Sequence, residues 1–328
     1  VSYYNKLPVF GTGRQRARSI EVLGSERTPG TIELVHGSSL GGLVMVYTYA
    51  DDSGYTPELS TGFLSGSAVA ATGNISGQEF DTTAAQTFEK PLAKSTEEAV
   101  ALADAFARAG LIGAVGHIER YNASLQNLRM RLAAGDLGDL YQVATRRQGP
   151  FPNRIADVGV VKDLASHDID LTAWVTQRRF ELVAARTMFK SGRAYEDMVA
   201  ATCQLSGGLM SSHLVNWLTP AKERLTTVTG EKGMFVADTL TADLTFYANG
   251  SVNTTWDDIA QFRGVNEGEM VRFAFAKPEP LKTEHEQFRD AILGKPADIV
   301  TLEQGTDVVR VCEAMIESAH TGRFIAVG

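Results

Sequence analysis

The hydrophobic pattern of this 328-residue chain changes character after Leu140. Before that point, the capping box of Ser95 and Glu98 opens a predicted helix, which ends at Gly110. Apolar residues at helical spacing between Ala99 and Phe106 mark its buried face, and the apolar run at residues 111–117 predicts a buried strand. After it, six segments with partial alternation are predicted to be strands: 141–148, 182–188, 198–205, 209–217, 225–229 and 244–247. This order predicts an α/β domain at residues 1–120, followed at 121–328 by an α+β domain with a mostly antiparallel open sheet.

The first residues have the outline of a dinucleotide-binding unit. Residues 7–10 form a short apolar run that breaks at Gly11 and Gly13, and residues 14–23 follow as a candidate helix. A strand, a glycine turn and a helix in this order open a Rossmann fold. The full fingerprint G-x-G-x-x-G needs a third glycine where this chain has Arg16, so two of the three glycines carry the prediction.

An acidic residue about 20 positions beyond the glycines normally binds the adenosine ribose. Residues 36–37 are His-Gly in that neighbourhood, and the carboxylates at 51–52 lie farther along the chain. The choice between NAD and NADP therefore stays open on these residues. Thr72 and Asn74 follow a later run of small residues, which lets a cofactor approach the backbone.

The composition argues against several classes of protein. With 31 basic and 39 acidic residues the formal charge is −8, and no basic cluster is long enough for a nucleic-acid surface. No apolar run reaches the length of a membrane span, and no signal-peptide pattern opens the sequence, so we expect a cytoplasmic protein without a membrane or nucleic-acid partner. Cys203 and Cys312 lack metal-ligand spacing and are predicted to be buried thiols.

A carboxylate and an imidazole lie four residues apart at Asp163 and His167. In a helix this spacing puts both side chains on one face. An imidazole accepts a proton near neutral pH, and a nearby carboxylate can orient it or stabilise its charged form. A buried helix with satisfied polar side chains fits the same residues. A metal site that adds Asp168 or Asp170 lacks a clear third ligand, so we expect no metal.

Four blocks of sequence, in their order along the chain, resemble the glucose–fructose oxidoreductase/inositol dehydrogenase (Gfo/Idh/MocA) family of nicotinamide-dependent sugar dehydrogenases. The blocks are EKP at 89–91, HIERYN at 117–122, RxxDVGVxxDLxxHDID at 154–170 and NWLTPxKxR at 216–224. Within the family they are most similar to the UDP-N-acetylglucosamine 3-dehydrogenase branch. The resemblance covers roughly residues 88–328 and does not extend over the first 87.

The resemblance implies a nicotinamide cofactor, for which we expect NAD with NADP as the alternative, and a sugar or nucleotide-sugar substrate. It implies that Lys90 bonds the reacting hydroxyl, that His167 is the general base and that Asp163 stands beside it. The implied catalytic residues are Lys90, Asp163 and His167. For the cofactor, the resemblance adds Glu89, Lys90 and Arg120 to the residues predicted from the glycine turn and the later small-residue run, which are Gly11, Gly13, Arg14, Thr72 and Asn74. The predicted substrate-binding residues are Lys90, Asn122, Arg154, Asp163 and His167. We also expect a homodimer or homotetramer formed through the C-terminal sheet.

Several residues have two interpretations. Glu119 is either a site residue or a surface carboxylate, and Lys222 and Arg224 either bind a diphosphate, as Arg154 is expected to do, or cover a sheet edge. Four others are predicted to be structural or core residues: His213, His285, Trp174 and Trp217. A free sugar or inositol is the alternative substrate. The competing class is a non-catalytic sugar-nucleotide-binding protein with a decayed cofactor domain, which the missing third glycine and ribose acid motivate.

Overall fold

The computed structural model describes residues 88–151, 158–250 and 268–328, and the backbone of four strands up to residue 88. The strands and helices are, in chain order, β1 Ile20–Val22, β2 Gly30–His36, β3 Leu43–Tyr49, β4 Ala85–Phe88, α1 Thr96–Ala109, β5 Ile112–Val115, α2 Ala123–Ala133, β6 Leu140–Pro150, α3 Ser166–Thr176, β7 Phe180–Met188, β8 Met198–Leu205, β9 Met210–Asn216, β10 Leu218–Gly230, β11 Gly233–Asp238, β12 Asp243–Ala248, β13 Met270–Arg272, α4 Pro280–Ile292, α5 Leu302–Thr321 and β14 Ile325–Ala326. A 3-10 turn at Ile118–Tyr121 precedes α2, and a π-helical turn at Val161–Ala165 precedes α3.

The chain divides into two compact units. The first unit comprises Val1–His117, Ile155–Asp157 and Leu281–Glu313, and the second comprises Ile118–Arg154, Val158–Pro280 and Ala314–Gly328. The predicted domain boundary near residue 120 lies close to the first division. The return of Leu281–Glu313 to the first unit differs from the prediction, which placed everything after residue 120 in the second domain.

The first unit contains a sheet in the order β1-β2-β3-β4-β5. Neighbours from β1 to β4 pair antiparallel, and among the described strands of this sheet the parallel pair is β4 with β5. A Rossmann sheet, predicted here, is parallel. The chain segments that join β1 to β2 and β2 to β3 are shorter than the dozen or so residues of a parallel crossover, which explains the antiparallel pairing. These strands therefore do not show a Rossmann domain, which stays a prediction.

Helix α1 begins and ends as the sequence predicts. The Ser95 hydroxyl accepts a hydrogen bond from the Glu98 N–H at 3.2 Å, and Gly110 follows the helix in the left-handed region at φ 66°. Leu102 and Phe106 on its predicted apolar face are buried. They pack in one core whose members are Phe88, Leu92, Ala93, Ala99, Leu102, Ala103, Phe106, Val115, Val300, Leu302 and Val309.

The C-terminal helices contribute to the core of the first unit. Phe288 of α4 is 1% exposed and packs with Ala114 of β5. Leu302 and Val309 of α5 pack with the residues of α1. An apolar stripe shows which face of a helix is buried, but not which sheet covers it. For that reason the sequence pattern could not assign these helices to the first unit.

The second unit is built on a sheet whose described strands run in the order β13-β12-β11-β10-β6-β9-β8-β7-β14. Its neighbours pair antiparallel, apart from β6 and β9, which are parallel. Burial alternates residue by residue along β8, so one face of the sheet is covered. Helix α3 contacts β6, and α2 contacts β11 and β12. The predicted mostly antiparallel sheet is confirmed, while β11, β13 and β14 were not predicted.

Two further expectations from the sequence concern membrane-spanning helices and the two cysteines. In the described part of the chain, no helix is both long and apolar enough to cross a membrane. Cys203 and Cys312 are both buried, as predicted. Burial raises the pKa of the Cys203 thiol to about 12, so this side chain behaves as a small apolar group.

Gly113 in β5 tests how α5 packs in the first unit. A Cβ at this position would lie 2.6 Å from Cδ1 of Leu302, so the leucine or the strand would have to move. We expect Gly113→Ala to lower the free energy of unfolding by about 1–3 kcal/mol, measured by urea denaturation. Gly149→Ala is the matched control, because its Cβ would meet Lys222 at an ordinary 3.5 Å. Equal losses in the two variants would contradict this packing.

Candidate active site

Asp163 and His167 lie on one continuous helical segment of the second unit. Asp163 is in the π-helical turn Val161–Ala165, and His167 is in the first turn of α3. The sequence predicted a regular α-helix, and the π turn differs from that prediction. Both side chains are buried, at 7% and 9% exposure. Because four residues are close to one turn in either helix type, the two side chains keep a common face, and π turns are frequent at functional sites.

Apolar side chains pack around this helix. Ile169, Leu171 and Val175 are at most 1% exposed. Trp174 on the same helix is buried, and so is Trp217 after β9, so both tryptophans are core residues as predicted. The helix is therefore held by apolar side chains on several sides, which keeps its polar residues in fixed positions.

A buried arginine joins α3 to the sheet. Arg147 lies at an inward-facing position of β6 and is 2% exposed. Its Nε donates to Oδ1 of Asp168 at 2.6 Å, and its Nη1 donates to Oε1 of Glu119 at 2.7 Å. Burial opposes the charge on Arg147, but the negative charges of Asp168 and Glu119 outweigh it and raise the pKa of the guanidinium. Because Asp168 directly follows His167, this contact fixes the backbone beside the candidate base.

Glu119 is not the surface carboxylate of the second interpretation. It is 7% exposed and accepts a further hydrogen bond from Nη1 of Arg224 at 3.3 Å. Burial raises the pKa of Glu119, but the cations of Arg147 and Arg224 outweigh this and hold it below its usual value. Arg224 is thus an ion-pair partner of Glu119. Neither of its two interpretations, diphosphate binding or the cover of a sheet edge, anticipated this contact. Lys222 is exposed.

Arg120 forms a second buried ion pair. Its Nε donates to Oδ2 of Asp170 at 2.9 Å, and its Nη2 donates to Oδ1 at 2.5 Å. This bidentate contact joins the 3-10 turn to α3. The resemblance implied that Arg120 contacts the cofactor. The structure places its guanidinium on Asp170, and the cofactor contact stays a prediction.

Asn122 caps helix α2. Its Oδ1 accepts hydrogen bonds from the N–H and the hydroxyl of Ser124, at 3.0 and 2.8 Å, and its Nδ2 donates to the carbonyl of Thr239 at 3.0 Å. The side chain is 6% exposed. Both of its polar atoms are therefore engaged in the fold, so the geometry gives no support to the predicted substrate contact of Asn122.

His213 is a structural residue, as predicted. Its Nδ1 lies 2.8 Å from the Thr145 hydroxyl, and its Nε2 lies 2.9 Å from the Ser211 hydroxyl. Burial lowers the pKa of His213 to about 4, although the charge of Asp168 acts in the opposite direction. His285, the other histidine predicted to be structural, lies half-buried on α4.

The EKP block follows β4 in the first unit. Because β4 and β5 are parallel, Glu89 and Gly116 follow the carboxyl ends of neighbouring strands, the edge where α/β sheets bind ligands. Lys90 is half-buried, and the Lys90–Pro91 bond is cis. A Cβ on Gly116 would lie 3.3 Å from the carbonyl of Phe88, a tight contact, and 3.5 Å from Oε2 of Glu89, so the glycine permits the close approach of the two strand ends.

Glu284 on α4 is a titratable residue of the first unit that the sequence analysis missed. Burial, and after it the negative charge of Glu89, raises its pKa to about 8. A carboxyl group that stays protonated at neutral pH beside another carboxylate is a frequent feature of functional sites. Its position four residues before the buried Phe288 is the sequence signal, because that spacing puts both on one helix face.

The structure describes only some of the predicted site residues. Six predicted site residues lie outside the described residues: Gly11, Gly13, Arg14, Thr72, Asn74 and Arg154. The pairing of Arg147 with Asp168 was missed, although its signal was present: Arg147 lies two residues after Thr145 on an alternating strand, and so faces inward. Within the described residues, no group of three His, Cys, Asp or Glu side chains could hold a metal ion.

Residues 125–236 match the family model of the GFO/IDH/MocA C-terminal domain. The resemblance is confirmed over this part of the chain. The match includes the π turn, α3 and most of the large sheet, and therefore Asp163, His167 and Arg147.

One relative is similar to this chain in sequence, and two solved structures are similar to it in fold. UDP-N-acetylglucosamine 3-dehydrogenase from Acidithiobacillus ferrooxidans is 40% identical over 88 residues, 27% of this chain, and the aligned part spans 27% of that relative's length. A solved structure of UDP-N-acetylglucosamine 3-dehydrogenase from the same organism has a TM-score of 0.61 at 26% identity, over 70% of this chain and 69% of that one. Levoglucosan dehydrogenase in complex with NADH shares the fold, with a TM-score of 0.64 at 18% identity over 80% of this chain and 76% of that one.

The buried His213 predicts a pH dependence of stability. Its pKa falls from 6.5 to about 4 on folding, so the unfolded chain binds a proton that the folded state excludes. The free energy of unfolding should be highest above pH 6.5 and decrease as the pH falls towards 4, by about 2–3 kcal/mol from this residue.

Chemical denaturation at about pH 7.5 and about pH 4.5 measures this loss. His213→Gln is the comparison, because an amide keeps a donor and an acceptor for Thr145 and Ser211. Its stability should depend less on pH than that of the wild type, and an identical dependence would show that His213 does not cause the loss.

Proposed function

We propose that this protein is an NAD(P)-dependent sugar dehydrogenase. In the proposed reaction a sugar-ring carbon loses a hydride, its hydroxyl loses a proton, and the carbon becomes a carbonyl. The observation that carries the proposal is the buried pair Asp163 and His167, on a helix with a π turn inside the region that matches the GFO/IDH/MocA C-terminal domain. An acid–base pair held in a packed helix suits proton transfer from an alcohol.

Each proposed catalytic residue has one role. His167 accepts the proton of the reacting hydroxyl, and Asp163 orients substrate or imidazole. Lys90, a half-buried cation after β4, donates a hydrogen bond to the hydroxyl oxygen and favours the negative charge that develops on it. The roles of His167 and Lys90 come from the resemblance, and the burial of His167 agrees with its role.

The described residues fit a nicotinamide cofactor at the carboxyl ends of β4 and β5. Glu89 and Lys90 supply polar groups at this edge, where α/β sheets bind ligands. When bound, the nicotinamide supplies hydride acceptance at its C4. NAD is the proposed form and NADP the alternative. The remaining proposed contacts to the cofactor come from Arg120, by resemblance, and from the residues of the glycine turn and the small-residue run, which are Gly11, Gly13, Arg14, Thr72 and Asn74.

The proposed substrate is a UDP-linked amino sugar that is oxidised at C3. The 40% identity with UDP-N-acetylglucosamine 3-dehydrogenase over 88 residues supports this choice, as does the structure of that enzyme at 26% identity. Arg154 is the proposed partner of the diphosphate, because a guanidinium bonds phosphate oxygens in pairs. A free sugar or inositol is the alternative within the same chemistry.

A second candidate function is a sugar-nucleotide-binding protein without redox activity. The antiparallel pairing from β1 to β4 favours it, because a complete dinucleotide-binding domain has a parallel sheet. The two candidates differ in whether the chain binds a nicotinamide cofactor.

Assembly through the large sheet is proposed from its surface. A cavity of about 700 Å³ lies against β6, β7, β8 and β9, and small residues such as Ala184, Ala200 and Ser212 line it together with Phe324. Phe324 is 68% exposed. Such a surface suits burial against a second copy of the chain, which supports a homodimer or homotetramer.

Titration of the purified protein with NADH and NADPH, followed by fluorescence or calorimetry, tests the proposed function directly. We expect binding of NADH at micromolar to millimolar concentration and weaker binding of NADPH. UDP binding without binding of either cofactor would favour the second candidate.

His167→Ala tests the general base. We expect turnover to fall by about 10²–10⁴-fold while the affinity for the cofactor changes little, because proton transfer contributes to the chemical step alone. The measurement is steady-state oxidation of the sugar, followed by reduced-nicotinamide absorbance. His320→Ala, which changes an exposed histidine of α5, is the matched control. Near-normal turnover in His167→Ala would remove this residue from the mechanism.

Arg154→Ala tests the nucleotide part of the substrate. If Arg154 binds the diphosphate, UDP should inhibit competitively, and the variant should bind UDP by about 1.5–3 kcal/mol less tightly in calorimetry. Arg178→Ala at an exposed position should leave UDP binding unchanged. Oxidation of a free sugar without any UDP binding would point to the alternative substrate.

A further inference from the structure

The helical segment that carries Asp163 and His167 begins without a side-chain cap from its own sequence. Val160 occupies the cap position, and its apolar side chain cannot accept a hydrogen bond. The first backbone N–H groups of a helix have no partner within it. Here Glu196, in the loop between β7 and β8, provides partners. Its Oε1 accepts from the Val161 N–H at 3.0 Å, and its carbonyl accepts from the Val160 N–H at 3.0 Å.

These bonds set the residue at which the helix begins. The Asp163 N–H donates to the carbonyl of Gly159 at 3.0 Å and closes the first turn. Glu196 is 8% exposed, and a carboxylate close to the positive end of a helix is favourable. Because each later residue is placed by the preceding turn, the start at Val161 determines where Asp163 and His167 lie.

The absence of a side chain at Gly159 leaves the space that the Glu196 carboxyl group occupies. A Cβ at residue 159 would coincide with the carboxyl group of Glu196, so a larger residue would displace that side chain. Gly159 has no unusual backbone conformation that would itself call for glycine. The glycine of the DVGV block is therefore explained by the space that the Glu196 carboxylate occupies.

The loop that presents Glu196 is itself anchored. Asp197 is 1% exposed and accepts hydrogen bonds from the N–H groups of Lys190 and Ser191, at 2.6 and 2.7 Å, and from Arg193 Nη2 at 3.1 Å. Burial opposes the charge of Asp197, but these bonds outweigh it and hold its pKa at about 2. The backbone N–H of Trp217, between β9 and β10, donates to the carbonyl of Asp197 at 3.0 Å, which fixes the loop to that connection.

Arg193 reinforces this anchor from the same loop. Its guanidinium lies 4.4 Å from the ring centroid of Phe151 and 4.8 Å from that of Trp217. Its Nη1 donates to the carbonyl of Val158 at 3.4 Å, directly before Gly159. The loop therefore contacts the backbone at residues 158, 160 and 161, the residues that lead into the helix.

We propose that Glu196 is a positioning residue for the reaction, which it serves by fixing the start of the helix that presents Asp163 and His167. This inference rests on the proposed function, in which those two residues act on the sugar hydroxyl. Glu196 itself touches neither substrate nor cofactor. Its effect is on geometry, and a displacement of about 1 Å in a reacting group is enough to lower a rate about 100-fold.

Three variants of the full chain test the proposal. Glu196→Ala removes the acceptor, Glu196→Gln keeps an acceptor oxygen for the Val161 N–H, and Glu181→Ala makes the same change at an exposed position of β7. We expect Glu196→Ala to lower kcat about 10–100-fold with the KM of the cofactor unchanged. Glu196→Gln should recover most of that loss, and Glu181→Ala should match the wild type.

Two readouts separate positioning from a general loss of stability. The acid limb of the pH profile of kcat, which reports His167 in the proposed reaction, should shift in Glu196→Ala and not in Glu181→Ala. Amide hydrogen exchange at residues 160–163 should become faster in Glu196→Ala and remain slow in Glu196→Gln. Wild-type kcat in Glu196→Ala, or an unshifted pH profile, would overturn the proposal.

A double variant tests the match with Gly159. Gly159→Ala alone should lower kcat as Glu196→Ala does, because the new Cβ displaces the carboxylate. In the Glu196→Ala background the same change should cause little further loss, since the space is then vacant. Additive losses would contradict the coupling.

The failure of the proposed function would look different. If the proposed function is wrong, the wild type and Glu181→Ala will both fail to oxidise sugars with either cofactor. The role of Glu196 in catalysis would then be rejected together with the proposed function. Hydrogen exchange at residues 160–163 would still show whether Glu196 fixes the helix start.

Discussion

The arrangement of the second unit depends on the buried guanidinium of Arg147. It lies between Asp168 on α3 and Glu119 on the 3-10 turn, at 2.6 and 2.7 Å. Loss of one partner from such a buried group leaves an uncompensated charge, which costs about 3–5 kcal/mol. The strand, the turn and the helix are therefore held in one register by directional bonds. These bonds act together with the apolar packing that holds α3.

Features set by neighbouring residues could be predicted from the sequence. Alternation gave the strands of the large sheet, Ser95 and Gly110 gave the ends of α1, and the spacing of Asp163 and His167 gave a common helix face. Each of these depends on a few consecutive residues, whose propensities and periodicity are visible in a single sequence.

Features set by distant residues could not be predicted in the same way. The cap that Glu196 provides for Val161 joins residues 35 positions apart, and the Nδ2 of Asn122 donates to the carbonyl of Thr239, 117 positions away. A helical pattern also does not show a π turn, because the apolar spacing hardly changes over one turn. In the first half of the chain, the length of the connections argues against a sequence motif. Gly11 and Gly13 suggest a Rossmann turn, yet the short connections among β1, β2 and β3 already favour hairpins by their length.

Helix α5 belongs to both units, since the division falls between Glu313 and Ala314. The N–H and the hydroxyl of Thr96 both donate to the Glu313 carboxylate, at 3.1 and 2.6 Å, so the first unit is completed by residues from near the end of the chain. No single cut in the gene can therefore release either unit intact. During synthesis, the first unit must wait for residues 281–313 to leave the ribosome before its core can close, although most of its residues emerge first. Excision of a unit for separate study would need a circular permutation or a designed linker, rather than a truncation.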